Sequence, residues 1–139
     1  MCGVVGQPFN EVCSASKFAV VGFMEALAPV AAAVSVDVSV IEPSLSSEFI
    51  NNAGLDPAAM VVEAGQYAAV LDRYLARTFY QFNAAQSAAE VADMVAHLLT
   101  TDNPPPRTQT SDWVRDFVET NLKDTDAMSV LSMTSRRVV

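Results

Sequence analysis

The sequence predicts a protein of the α/β class that is mostly helical, with two short strands and one domain over residues 1–139. Its length is normal for one domain, and 51% hydrophobic residues supply enough apolar material for a core. Four segments repeat apolar residues at helical spacing, and two short stretches have the composition of strands. No internal repeat or low-complexity linker divides the chain.

The first predicted element is a long helix over residues 11–33. Gly3 and Pro8 indicate an irregular start, after which Asn10 is a plausible N-cap. Apolar residues lie almost all the way round this helix, so it needs cover on more than one side. We expect Pro29 to kink or thin its last turns, because proline removes one backbone donor.

Two strands and three further helices follow. The run V-D-V-S-V-I-E at residues 36–42 predicts a strand that Pro43 ends, and residues 107–110 predict a second strand. The three helices are indicated by their first residues, namely Asp56 with Pro57, Ser87 with Glu90 as a capping box, and Ser111. The second of the four helices is expected to continue from Pro57 to about Phe82.

Composition argues against several classes of partner. Eight Lys and Arg against 16 Asp and Glu give a net charge of -8, which disfavours nucleic acid. Lys17, Glu25 and Pro29 interrupt the most apolar stretch, so we expect a soluble, cytoplasmic protein without membrane contact. No Cys/His cluster has metal-ligand spacing, and Cys2 and Cys13 are interpreted as free thiols.

Four motifs resemble short-chain dehydrogenases/reductases of the hydroxysteroid-dehydrogenase-like branch. They are P-F-N at residues 8–10 with S-A-S-K-F-A-V at 14–20, V-S-V-I-E-P at 38–43, S-A-A-E-V-A at 87–92, and R-T-Q-T-S-D-W at 107–113. The resemblance implies the carboxy-terminal half of that family's fold, a partial Rossmann-like unit. It also implies an NAD(P)-dependent oxidoreductase ancestry, with a bulky alcohol or ketone as the substrate class.

The resemblance assigns catalytic roles to two helix positions. In the family, a tyrosine four residues before a lysine is the general acid or base, and the lysine lowers its pKa and holds the nicotinamide ribose. Here Lys17 matches the lysine, and Cys13 stands at the tyrosine position. Cys13 is either a reactive thiolate or a small buried residue that replaced the tyrosine, and we favour the second interpretation.

The resemblance also assigns a nicotinamide-binding turn. Pro43 matches the family's proline, Ser44 replaces its glycine, and Ser47 matches a threonine near the nicotinamide; an ordinary strand-to-loop turn is an equal alternative. The family's substrate-binding serine would fall before Met1, and no Gly-rich pyrophosphate turn follows a strand. We therefore expect NAD(P) by family resemblance, and no binding by these residues alone.

Two functional hypotheses follow, an oxidoreductase-family polypeptide and a non-catalytic module that associates with itself or with a partner. For the second, we expect a homo-oligomer through residues 11–33, with Phe18, Val21 and Phe23 as buried anchors. His97 is interpreted as a helix-terminal residue that interacts with the helix dipole. An aromatic set could cover a bulky substrate but is more often core. Its members are Tyr67, Tyr74, Phe79, Tyr80 and Phe82.

Overall fold

The computed structural model describes residues 2–44, 56–82, 85–123 and 125–129, together with positions 52, 54, 132 and 136. Five helices are described, each labelled in chain order: Glu11–Ala32 (α1), Pro57–Glu63 (α2), Ala68–Phe82 (α3), Ala88–Leu99 (α4) and Asp112–Leu122 (α5). Two strands, Val40–Glu42 (β1) and Arg107–Gln109 (β2), form a parallel pair in this part of the chain. The content is mostly helical with two short strands, as the sequence predicts.

The first strand is shorter than predicted: it begins at Val40 and not at residue 36. Its partner β2 follows three consecutive prolines, which lack backbone N–H groups and cannot extend a ladder. The Val40 N–H donates to the carbonyl of Pro106 at 2.9 Å, and one residue earlier the hydroxyl of Ser39 donates to the carbonyl of Pro105 at 2.7 Å. The side chain of Ser39 therefore continues the contact where the backbone ladder ends.

The predicted second helix is two helices. Asp56 caps α2 as predicted, since its carboxylate accepts the N–H groups of Ala58 and Ala59 at 3.1 Å each. The expectation of one continuous helix was wrong, because Gly65 has φ +54° and starts a short 3₁₀ turn before α3. A left-handed residue cannot continue a right-handed helix, and glycine adopts this conformation at little cost.

Two of the other three predicted caps form, and the third does not. Ser87 and Glu90 form the capping box of α4, and the Ser111 hydroxyl accepts the N–H of Val114 in α5, so both predictions are confirmed. Asn10 precedes α1 but makes no capping hydrogen bond with its side chain. Its amide instead donates to the phenolic oxygen of Tyr74 at 2.7 Å, which joins the start of α1 to α3.

The buried core lies between the amino-terminal segment and α5. Five buried residues form this cluster: Val4, Val5, Val114, Phe117 and Val118. A hydrogen bond from the Asn121 amide to the Val4 carbonyl at 2.5 Å fixes the segment along α5. The core therefore depends on contacts between residues more than one hundred positions apart.

Helix α1 is largely uncovered by the described residues. Ser14 and Val21 are buried, whereas Phe23 is 64% exposed and Val12 is 85% exposed. An 18-residue window of the helix has a mean hydropathy of 1.4, and the helix is long and apolar enough to cross a membrane by length and composition. One such helix is weak evidence for a membrane span, so the expectation of no membrane contact stays a prediction. Helix α1 continues through Pro29 to Ala32.

Candidate functional site

Cys13 and Lys17 lie one turn apart at the start of α1. Cys13 is half-buried, and Lys17 is exposed. The lysine ammonium makes no hydrogen bond or ion pair with any residue that the structure describes. Below them, the buried Ser14 hydroxyl accepts the backbone N–H of Gln7 at 3.4 Å. The helix thus sets the spacing that the sequence predicts, but the cation stays in solvent.

The amino-terminal segment crosses α1 beside these residues. A Cβ atom at Gly3 would lie 2.8 Å from Val21 Cγ2 and 3.0 Å from the Lys17 carbonyl oxygen. Any larger residue would have to move the backbone of α1 or the segment itself. Gly3 is therefore the residue that lets residues 2–7 pass over the predicted site, a role that the sequence did not indicate.

The second thiol of the chain, Cys2, lies beside Cys13. Cys2 is half-buried, and the amide of Gln7 donates to its sulfur at 3.7 Å. Burial raises the pKa of Cys2, and the neighbouring Cys13 raises it further through its charge and a hydrogen bond. Cys13 is half-buried and lies against this second thiol, so the choice between a reactive thiolate and a small residue that replaced the tyrosine stays a prediction.

The turn after β1 is closed by bonds within the chain. Pro43 is half-buried, and Ser47 lies outside the described residues. The Ser44 N–H donates to the amide oxygen of Gln86 and to the hydroxyl of Thr110, at 3.2 Å each. Gln86 also donates to the Thr110 carbonyl at 2.9 Å. The backbone donor at the family's glycine position is therefore already used.

One backbone donor of the predicted nicotinamide turn, the Ser44 N–H, is engaged within the chain, and Lys17 has no partner among the described residues. No group of three or more His, Cys, Asp or Glu residues could hold a metal ion in this part of the chain.

A charged cluster joins the sheet to the second half of α1. Glu42 is 3% exposed, and its carboxylate accepts a hydrogen bond from the Gln109 amide at 2.6 Å. The guanidinium of Arg107 forms ion pairs with Glu42 at 3.5 Å and with Glu25 at 2.7 Å. A cavity of about 140 Å³ lies beside the Glu25–Arg107 pair. Sites for drug-sized ligands occupy roughly 300–1,000 Å³, so this cavity is too small for a steroid or a dinucleotide.

The aromatic set has no single role. Tyr74 is buried and packs on Phe9 with ring centroids 5.4 Å apart, which confirms the core interpretation for that residue. The same interpretation is wrong for Tyr67 and Phe79, which are 58% and 36% exposed. The side chains of Tyr80 and Phe82 lie outside the described residues. His97 lies in the last turn of α4, where its predicted interaction with the helix dipole is possible geometrically.

One curated relative supports the resemblance. Human 17-beta-hydroxysteroid dehydrogenase type 1 is 29% identical over 148 aligned residues, which cover 98% of this chain and 42% of the relative. The chain thus spans less than half the length of that protein. No family model matches the chain. The similarity supports the short-chain dehydrogenase/reductase family, and no finer assignment.

Proposed function

We propose that the chain is a short-chain dehydrogenase/reductase polypeptide that corresponds to the carboxy-terminal half of that fold and does not transfer hydride by itself. Its relatives would be NAD(P)-dependent oxidoreductases that act on a bulky alcohol or ketone. The observation that carries the proposal is the pair on α1. Lys17 keeps the family's lysine position, whereas a half-buried thiol, Cys13, stands where the proton-transferring tyrosine belongs.

Reach decides against proton transfer by Cys13. A general acid must come within hydrogen-bond distance of the reacting oxygen before its pKa matters, and a thiol is much shorter than a phenol. The Cys13 side chain also lies against Cys2, beneath the amino-terminal segment. Hydride transfer further needs a bound donor, and the Ser44 N–H, a backbone donor of the predicted nicotinamide turn, is already used within the chain.

The first test is cofactor binding. Calorimetric titration of the 139-residue chain with millimolar NAD(H) or NADP(H) should give no saturable heat. Binding in the low micromolar range, roughly -8 kcal/mol, would contradict the proposal. An intact dehydrogenase of the same family serves as the positive control for the titration.

The second test restores the tyrosine. Cys13→Tyr in the 139-residue chain should give no NADPH oxidation with steroid or aromatic ketones. The same substitution in a chimera that carries a relative's nucleotide-binding half should give activity, and the chimera with Cys13 should give none. Activity of the single variant alone would show that the residues present already bind the cofactor.

A second candidate function is a self-associating module, favoured by one exposed face of α1. Six small or apolar residues follow a heptad-like spacing of four and three along this face, and all are exposed: Val12, Ser16, Ala19, Phe23, Ala26 and Val30. This spacing lines one side of a helix and is typical of helix pairs that pack closely. The buried residues Ser14 and Val21 lie on the opposite side, against the chain's own amino-terminal segment.

Of the three residues that we expect to anchor a contact between copies, one lies on this exposed face. Val21 cannot be an anchor between subunits, because its side chain packs against Gly3 within the chain. Phe18 is 42% exposed but lies about 120° round the helix from the centre of the face. Phe23, 64% exposed, lies within the face, so it is the anchor that we retain for contact with a second copy.

The oligomeric state tests this candidate. Light scattering coupled to size exclusion should give a dimer or larger oligomer at tens of micromolar protein, and Phe23→Glu or Val12→Glu should give monomer. Val62→Glu is the matched control, because Val62 is 84% exposed on α2 and Val12 is 85% exposed on α1. A folded wild-type monomer, or a monomer that binds phosphatidylcholine vesicles through this face, would contradict self-association.

A further inference from the structure

Two thiols that are eleven positions apart in sequence share one site where the amino-terminal segment crosses α1. Gly3 lies against the carbonyl of Lys17, and the backbone N–H of Gln7 donates at 3.4 Å to the hydroxyl of Ser14, the residue after Cys13. These contacts hold the segment along the turn of α1 that follows Cys13, and the Cys2 and Cys13 side chains share a hydrogen bond. The amide of Gln7 donates to the Cys2 sulfur at 3.7 Å and holds it on this side of the segment. Both thiols are half-buried, and neither is closed off from solvent.

We propose that Cys2 and Cys13 are a reversible dithiol pair, which a small disulfide such as oxidised glutathione converts to an intramolecular disulfide that fastens residues 2–7 to α1. The segment already crosses α1 close to Cys13, where Gly3 lies against Lys17 and Val21. The proposal concerns a modification site and does not depend on the family assignment or on self-association.

The exchange takes place in two balanced steps. The Cys13 thiolate attacks one sulfur of oxidised glutathione, which forms a mixed disulfide and releases one glutathione thiolate. The Cys2 thiolate then attacks the Cys13 sulfur, which forms the internal disulfide and releases the second glutathione. Two electrons pass from the protein thiols to glutathione, and the two thiol protons end on the released glutathione molecules.

The assignment of Cys13 as the first nucleophile follows from the surroundings of the two thiols. Burial and the neighbouring thiol raise the pKa of Cys2, which disfavours its thiolate while both groups are reduced. Cys13 is the third residue of α1, so the helix fixes its position, whereas Cys2 lies in the segment that precedes the helix. Once Cys13 is in a mixed disulfide, its charge no longer opposes ionisation of Cys2.

Intact-mass measurement after oxidation and alkylation tests the pair. The folded 139-residue chain is incubated with oxidised glutathione, quenched with an alkylating reagent and weighed. Wild type should become a species lighter than the reduced protein by two hydrogens, with no alkylation, and peptide mapping should join Cys2 to Cys13. Dithiothreitol should restore two alkylatable thiols.

Single serine variants separate a pair from two independent thiols. Cys2→Ser should stop at a stable glutathione adduct on Cys13, and Cys13→Ser should stop at a stable adduct on Cys2, which forms more slowly because burial still raises the pKa of Cys2. In guanidinium-unfolded wild type, the internal disulfide should form less readily than in the folded chain. Accumulation of double glutathione adducts in folded wild type, or disulfides only between two copies, would overturn the proposal.

Discussion

Helix α1 is the more apolar of the two helices α1 and α5, but α5 contributes more buried residues. The buried residues of α1 are Ser14 and Val21. Helix α5 carries charged residues on its outer side and still supplies Val114, Phe117 and Val118 to the core. Apolar content alone therefore does not predict which helix forms the centre of this protein.

The arrangement of apolar residues explains the difference. In α5, residues 114, 117 and 118 have the spacing of a single helical face, which one partner segment can cover completely. In α1, apolar residues occur on all sides, and the amino-terminal segment covers the side that contains Val21. A second side carries Glu25, which pairs with Arg107, and the side that carries Phe23 is exposed among the described residues.

The comparison predicts that replacing phenylalanine by alanine lowers the free energy of unfolding much more in α5 than in α1. Phe117→Ala should lower the free energy of unfolding by about 3–5 kcal/mol, because a 6% exposed ring that stacks on Trp113 leaves a cavity. Phe23→Ala should change it by no more than about 0.5 kcal/mol in dilute protein, since this ring is 64% exposed. Urea unfolding measures both.

Equal losses for the two variants would mean that α1 is covered in solution even at low protein concentration. A small loss for Phe117→Ala would show that the core between α5 and the amino-terminal segment contributes little. Either outcome would remove the distinction between a packed helix and an exposed one.

Local features of the fold were predictable from sequence, since they depend on residues three or four positions apart. The caps at Asp56, Ser87 and Ser111 follow from such spacing, and each forms as predicted. Asn10 satisfies the same sequence rule but bonds to Tyr74, 64 residues away. A distant partner can therefore replace a local one, and the sequence does not show when this happens.

The candidate site was predictable in part for the same reason. The spacing of Cys13 and Lys17 is a property of one helix, so the sequence predicts it directly. The position of Cys2 beside Cys13 requires a turn whose path depends on Gly3 packing against α1. The late start of β1, at Val40, depends on prolines 64 or more residues later in the chain. Such contacts need the folded arrangement of both partners.

Adjacent valines sharpen the comparison within α1. Val21→Ala should cost about 2 kcal/mol, because an 8% exposed side chain loses two methyl groups of contact beside Gly3. Val20→Ala should cost no more than about 0.5 kcal/mol, since Val20 is 48% exposed and alanine favours helix. Thermal unfolding of both variants at equal concentration measures the difference, and a larger loss for Val20→Ala would mean that the other side of α1 is the covered one.

The smallest expected effect concerns the capping box of α4, an exposed feature that contributes without burial. The backbone N–H of Ser87 and then its hydroxyl donate to the Glu90 carboxylate, at 2.8 Å each, and lower the pKa of Glu90 below its usual value of 4.5. A lowered pKa in the folded state stabilises the protein above pH 4.5, and this contribution is lost as the pH falls through the folded-state pKa.

Glu90→Gln should therefore be less stable than wild type at neutral pH, and the difference should shrink as the pH falls below 4.5. Glutamine still accepts a hydrogen bond but does not titrate, so the variant isolates the charge. Urea unfolding through the acid range measures the difference, with Glu63→Gln as a matched control on an exposed carboxylate of α2. A difference that stays constant with pH would mean that the cap acts through hydrogen bonding alone, and the charge of Glu90 would then have no part in holding α4.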